Sequence, residues 1–129
     1  MNTLFQDQEA FMKAGDATRN STDRKDEVLA VTLIEEEFEE FMDEPAFIPN
    51  NNINSLKECI DVIYVCCQYM NTVVGSKKAQ KLWDVVHAHN MSKCQNGKLV
   101  KREDGKVMKP HGFDKKAWIK EFNEILGMQ

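Results

Sequence analysis

A chain of 129 residues with 42% hydrophobic residues and a formal net charge of −4 is sized for one domain and too apolar to be disordered throughout. Its longest unbroken apolar run, "VIYVCC", is far too short to span a bilayer, and no amino-terminal basic-plus-apolar segment resembles a signal peptide. The expectation is a cytoplasmic protein without a membrane partner. The charge is also unevenly spread. Residues 1–75 hold fifteen acids and five bases, whereas residues 76–129 hold six acids and twelve bases. Such a split suits two partners, or a metal-binding half beside a phosphate-binding half.

In chain order, "TLFQDQEAFMKA" places apolar residues at 4, 5, 11 and 12 and predicts a short first helix. "GDATRNSTDRKD" is polar and rich in cap candidates, so it reads as a loop. From Asp26 to Met42 the apolar positions 30, 33, 34, 38, 41 and 42 keep helical spacing and predict a second helix. "DEPAFIPNNNIN" then breaks it with two prolines and an asparagine run. "SLKECIDVIYVCCQYMNTVV" predicts a third helix, with Ser55 and Glu58 in a capping box and Gly75 as its stop. Ser76 can cap a fourth through "KKAQKLWDVVHAHNMSK". "KLVKREDGKVMK", with Asn96-Gly97 before it and Asp104-Gly105 inside it, predicts a small β-hairpin. "DKKAWIKEFNEIL" closes the chain as a short amphipathic helix. The expected fold class is therefore mainly α, a bundle of four to five helices with a small C-terminal β-hairpin, in one domain over 1–129.

Cys59, Cys66 and Cys67 share one apolar segment and two are adjacent, so buried free thiols are expected rather than disulfides. Cys94 lies near His87 and His89, but the spacing fits no zinc pattern and supplies only three ligands.

The stretch "LIEEEFEEF" carries five glutamates within positions 35–40. On a helical wheel with Glu37 at zero, Ala30, Leu33, Ile34, Phe38 and Phe41 fall between roughly −40° and +100°, so Glu37 lies inside the apolar stripe. Glu40 and Glu36 flank it, and Glu35 and Glu39 point away to solvent. A buried carboxylate must raise its pKa, find a cation or coordinate metal. From the wheel alone, a lysine or arginine across a helix interface serves as well as a metal. In the third helix Glu58 and Asp61 form a second acidic pair, on a polar strip with Lys57, Gln68, Asn71 and Thr72. That strip either faces water or converges with the first pair. Packed antiparallel, the two helices can bring four carboxylates together, the hard oxygen ligands that Mg²⁺ or Mn²⁺ prefers. A di-iron bundle needs Glu-x-x-His pairs, which His87, His89 and His111 do not form.

With these residues the chain resembles MazG-type nucleotide pyrophosphohydrolases of the all-α NTP pyrophosphatase superfamily, in their short single-domain form. The family signature, Glu-x-x-Glu, a spacer, then Glu-x-x-Asp, reads here "EFEE" (37–40), residues 41–57, then "ECID" (58–61). "FMKAG", "HAHNMSK" and "REDGKVMKPHGF" extend the likeness over about 4–113, leaving 114–129 as a C-terminal helix beyond it. The resemblance implies that Glu37, Glu40, Glu58 and Asp61 bind Mg²⁺, with Mn²⁺ able to substitute. Glu36 is implied as an extra ligand or as the residue that orients the attacking water. Asn90 and Lys93 are implied to contact the nucleotide or its phosphates. A homodimer or homotetramer is the implied assembly.

The basic tail agrees with a triphosphate partner. Lys93, Lys98, Lys101, Arg102, Lys106 and Lys109 cluster around the hairpin, and Lys93, Lys109 and then Arg102 are the expected phosphate contacts. No Walker glycine loop is present. The expected activity is hydrolysis of a nucleoside triphosphate, a deoxynucleotide by preference, to monophosphate and pyrophosphate, with Glu37 or Glu40 accepting the water's proton. Phosphoribosyl-ATP pyrophosphohydrolase and dUTPase-like activities share that core. A non-enzymatic helical interaction module is the alternative outside enzymes. A nucleic-acid partner is disfavoured, because the basic tail lacks interleaved aromatics and the other half is acidic.

Overall fold

A computed structural model describes residues 1–128. They form six helices and one two-stranded antiparallel sheet: α1 (Leu4–Ala14), α2 (Arg24–Asp43), α3 (Phe47–Asn50), α4 (Ile53–Val74), α5 (Ser76–Met91), β1 (Val100–Lys101), β2 (Val107–Met108) and α6 (Trp118–Leu126). The mainly α class with a late hairpin is thus observed. The chain gathers into two compact units, Met1–Ala79 and the residues from Gln80 onward.

In the first unit α1, α2 and α4 each begin where a side chain takes up a free amide. Thr3 and Gln6 form a reciprocal capping box on α1. The Asp23 carboxylate accepts from the Lys25 amide to cap α2, with Asp26 and Glu27 favourably placed in the first turn. The cap of α4 is Asn52, whose side chain accepts from the Asn54 amide, not Ser55 as the sequence suggested. The cause is a helix start three residues earlier. Ser55 is already inside the first turn, where its hydroxyl donates to the Asn52 carbonyl. Glu58 is consequently released from any capping duty. Gly75 ends α4 at φ +81°, a conformation that side chains rarely adopt. The α2–α4 connection contains the four-residue α3.

α1 and α2 both pack on α4. The small core of the unit includes Phe5, Cys67 and Ala79, with Met70 and Val74 against it. Beside that core lies a buried amide network. Fully buried Asn71 donates from Nδ2 to the Phe5 carbonyl at 2.9 Å and to Gln8 Oε1 at 2.8 Å. Gln8 in turn donates to Gln68 Oε1 at 3.4 Å. The Asn20 and Ser21 amides donate to the carbonyls of Asn71 and Thr72, at 3.0 and 2.7 Å. Ser21 also donates to Asp26 at 2.6 Å and accepts from the Asp23 amide. These bonds fix the start of α2 beside the end of α4. Asp23 to Glu37 and Thr72 back to Glu58 are each fourteen positions, about 21 Å of helix. Running antiparallel from a shared anchor, the two helices therefore bring Glu37 level with Glu58.

The polar strip of α4 turns inward, with Ser55, Asn71 and Thr72 buried and Glu58 and Asp61 half-buried. Much of the apolar arc faces outward. Leu56, Ile60 and Ile63 are 50%, 61% and 45% exposed, and Phe38 and Met42 of α2 are exposed as well. The thiols follow this orientation. All four are free, yet only Cys67 is buried; Cys59 and Cys66 are exposed on α4, contrary to the expected buried set.

In the second unit Asn96 and Gly97 both take positive φ, 52° and 77°, closing a tight turn bridged by Gln95 and Lys98. The following hairpin pairs Val100 with Met108 and Lys101 with Val107, and its turn ends on Gly105 at φ +86°. α6 buries Ile125 and stacks Trp118 edge-on against Phe122 at 4.8 Å. Among the described residues, no helix is long and apolar enough to cross a membrane.

Candidate metal centre

The wheel assigned Glu37 to the inner side of α2, and Glu37 is half-buried there while Glu35 and Glu39 are exposed. Glu40 follows one turn later. Across the interface Glu58 stands on the inward strip of α4. One carboxylate oxygen from each of Glu37, Glu40 and Glu58 lies within 4.8 Å of the other two. Two of these residues are under-partnered: Glu37 Oε2 and Glu58 Oε2 are buried with no hydrogen-bond partner. Buried oxygens without donors are costly, and a cation is one way to satisfy them.

The electrostatics carry the same mark. Burial first, then the neighbouring charges of Glu40 and Asp61, a hydrogen bond with Glu40 and the charge of Glu58 hold the Glu37 carboxyl above the usual glutamate range. Burial likewise raises Glu58; Lys57 opposes that shift, and Asp61, Glu40 and Glu44 add to it. No ion pair to Glu37 is present among the described residues: Lys57 of α4, the base that feels its charge across the interface, is paired with Asp61 instead. These three carboxylates are a group that could hold a metal ion, and carboxylate oxygens are the hard ligands that divalent cations such as Mg²⁺ and Mn²⁺ take.

Asp61 stands outside that group. Its Oδ2 is 2.6 Å from Lys57 Nζ, which also lies 3.9 Å from Glu58 Oε1. Glu36 is exposed and does not join the three carboxylates. The reason is angular: one position along the helix rotates it by about 100° away from Glu37. Two residues escaped the sequence reading. Glu44, one turn beyond Glu40, lies close enough to act on Glu58, and its Oε2 accepts from Asn52 Nδ2 at 2.9 Å. Lys57 was visible only as part of a polar strip, although its i, i+4 spacing to Asp61 was the available signal.

The tail residues are described within the second unit. Lys93 Nζ donates to Asn90 Oδ1 at 3.1 Å, so these two are mutual neighbours at the end of α5. His89 packs against Phe113 with ring centroids 5.0 Å apart. Lys109 is exposed. Arg102 is held by Asp104 through two hydrogen bonds, 3.2 and 2.7 Å, which leaves it a poorer phosphate contact than its sequence setting implied.

Comparison with known protein families and with curated proteins returned no match to this chain.

Proposed function

We propose that the chain is a Mg²⁺-dependent nucleoside triphosphate pyrophosphohydrolase that releases pyrophosphate and a nucleoside monophosphate, with deoxynucleoside triphosphates as the preferred class. The observation that carries this reading is the convergence of Glu37, Glu40 and Glu58 with two buried, unpartnered oxygens. The order of "EFEE", "ECID" and "DGKVMKP" in the sequence, which resembles MazG-type enzymes, supports it independently.

Glu37, Glu40 and Glu58 would hold the cation, with Asp61 the fourth ligand that the resemblance implies, and Mn²⁺ can take the place of Mg²⁺. When bound, such an ion supplies Lewis acidity towards phosphate oxygens and lowers the pKa of a nearby water. Glu37 or Glu40, neighbours one turn apart on α2, accepts the water's proton. Asn90, Lys93 and Lys109 serve the nucleotide and its phosphates. The outward apolar arc of α4 supports a homodimer or homotetramer, since isolated subunits rarely leave a contiguous apolar face in water.

The test is pyrophosphate release from all ribo- and deoxyribonucleoside triphosphates with Mg²⁺. Turnover should appear in the native protein and disappear in Glu40→Ala and Asp61→Ala, with helical circular dichroism retained. Retained turnover in both variants would refute the assignment. Selective turnover of dUTP or phosphoribosyl-ATP would place the chain with the related activities. Absence of turnover with every triphosphate would favour the interaction-module reading.

A further inference from the structure

The candidate metal centre already contains a positive charge of the protein's own. Lys57 Nζ sits 2.6 Å from Asp61 Oδ2 and 3.9 Å from Glu58 Oε1, and its side chain is 69% exposed. Lys57 precedes Asp61 by one helical turn, so a small rotation of its flexible stem brings the ammonium to or from the carboxylate without moving the backbone. Asp61 is also the carboxylate that the motif pairs with Glu58 and that the three-membered group lacks.

A site of like charges is unstable without a cation of some kind, and Lys57 is the one that reaches it from the same helix. We propose that Lys57 is a displaceable counter-cation. It neutralises Asp61 while no divalent ion is bound, and it must release Asp61 before that carboxylate can complete the ligand set. Lys57 thereby sets the divalent-cation concentration at which the centre fills. The inference rests on reading the cluster as a divalent-cation site.

Two physical points make the exchange feasible. The Lys57 end of the pair is open to water, which weakens the contact, so it yields to a doubly charged competitor. After displacement the ammonium remains near the ion and repels it, a penalty that an uncharged side chain of similar shape lacks. Lys57 is thus a positioning residue that acts through Asp61, with no contact to the reacting atoms required.

The experiment is titration of the 129-residue protein with Mn²⁺ alone, followed by electron paramagnetic resonance of the free ion. Lys57→Met keeps the aliphatic stem and removes the charge. It should bind Mn²⁺ roughly three- to tenfold more tightly than the native protein, a change of the size expected for one nearby charge. Lys57→Arg, which keeps the charge, should bind no more tightly than native. In an Asp61→Asn background the gain from Lys57→Met should shrink, because the pair it relieves is gone. Native binding with unchanged or weaker affinity in Lys57→Met would overturn the proposal and leave the metal centre standing. An equal gain in the Asp61→Asn background would overturn the role of Asp61. No saturable Mn²⁺ binding by the native protein would remove the metal centre itself.

Discussion

Replacing Glu37 by glutamine should stabilise the cation-free protein. The Glu37 carboxylate has oxygen neighbours from Glu40 and Glu58 within 4.8 Å, no ion pair among the described residues, Lys57 acting on it only at longer range, and a buried Oε2 with nothing to accept from. At that separation the Glu37–Glu40 repulsion alone is about 0.9 kcal/mol in bulk water and about 3.5 kcal/mol at an effective dielectric of 20. Glu40 is exposed, which keeps the value towards the lower end. Removing the charge should therefore add about 1–2 kcal/mol of stability at neutral pH, and Glu58 acts in the same direction. For a chain of this length that is roughly 4–7 °C in melting temperature. The assay is thermal unfolding by circular dichroism in EDTA and again with Mg²⁺ or Mn²⁺. The native protein should gain stability from the ion, whereas Glu37→Gln should gain far less. A variant as stable as native or less stable in EDTA would show that Glu37 has a compensating partner, and the reasoning would fail.

The raised carboxyls of Glu37 and Glu58 also fix the sign of a pH effect. Unfolded glutamates release their protons at the ordinary value, but the folded cluster keeps them to a higher pH. Between the two the folded state binds more protons, so stability should fall as pH rises through that window and the penalty should vanish below it; denaturant titrations in EDTA from the ordinary glutamate range upward would measure it. Asn71→Leu strips donors from the Phe5 carbonyl and Gln8, so it should cost about 2–3 kcal/mol in urea unfolding. Asn52→Ala should cost about 1 kcal/mol of stability and Ser55→Ala less, because Asn52 is the cap of α4. Ile60→Asp should lower the mass found by light scattering while leaving helical circular dichroism unchanged, if the outward arc of α4 joins subunits.

The helices were legible because their apolar residues keep a 3.6-residue period and their ends carry asparagine, aspartate, proline and glycine. Glu37 was assigned inward by angle alone, and Glu35 and Glu39 outward, as the structure places them. The cap of α4 was not legible, since Ser55-Glu58 and Asn52 both satisfy a capping pattern and only the actual start of the helix decides between them. The facing of α4 was harder still. Its polar strip and apolar arc are both wide, and on the inward side Asn71 Nδ2 donates to Gln8 and to the Phe5 backbone. The Lys57–Asp61 contact needed coordinates, because an i, i+4 spacing permits a pair without requiring one. The family resemblance named Asn90 and Lys93, the basic tail named Arg102 and Lys109, and local bonding then tied Arg102 to Asp104.

Crystals soaked in Mn²⁺ and measured at the manganese absorption edge probe the metal centre most directly. An anomalous peak within coordination distance of the Glu37, Glu40 and Glu58 carboxylates is the predicted outcome. A fully soaked crystal that shows no peak there, or shows manganese only at other carboxylates, would contradict it.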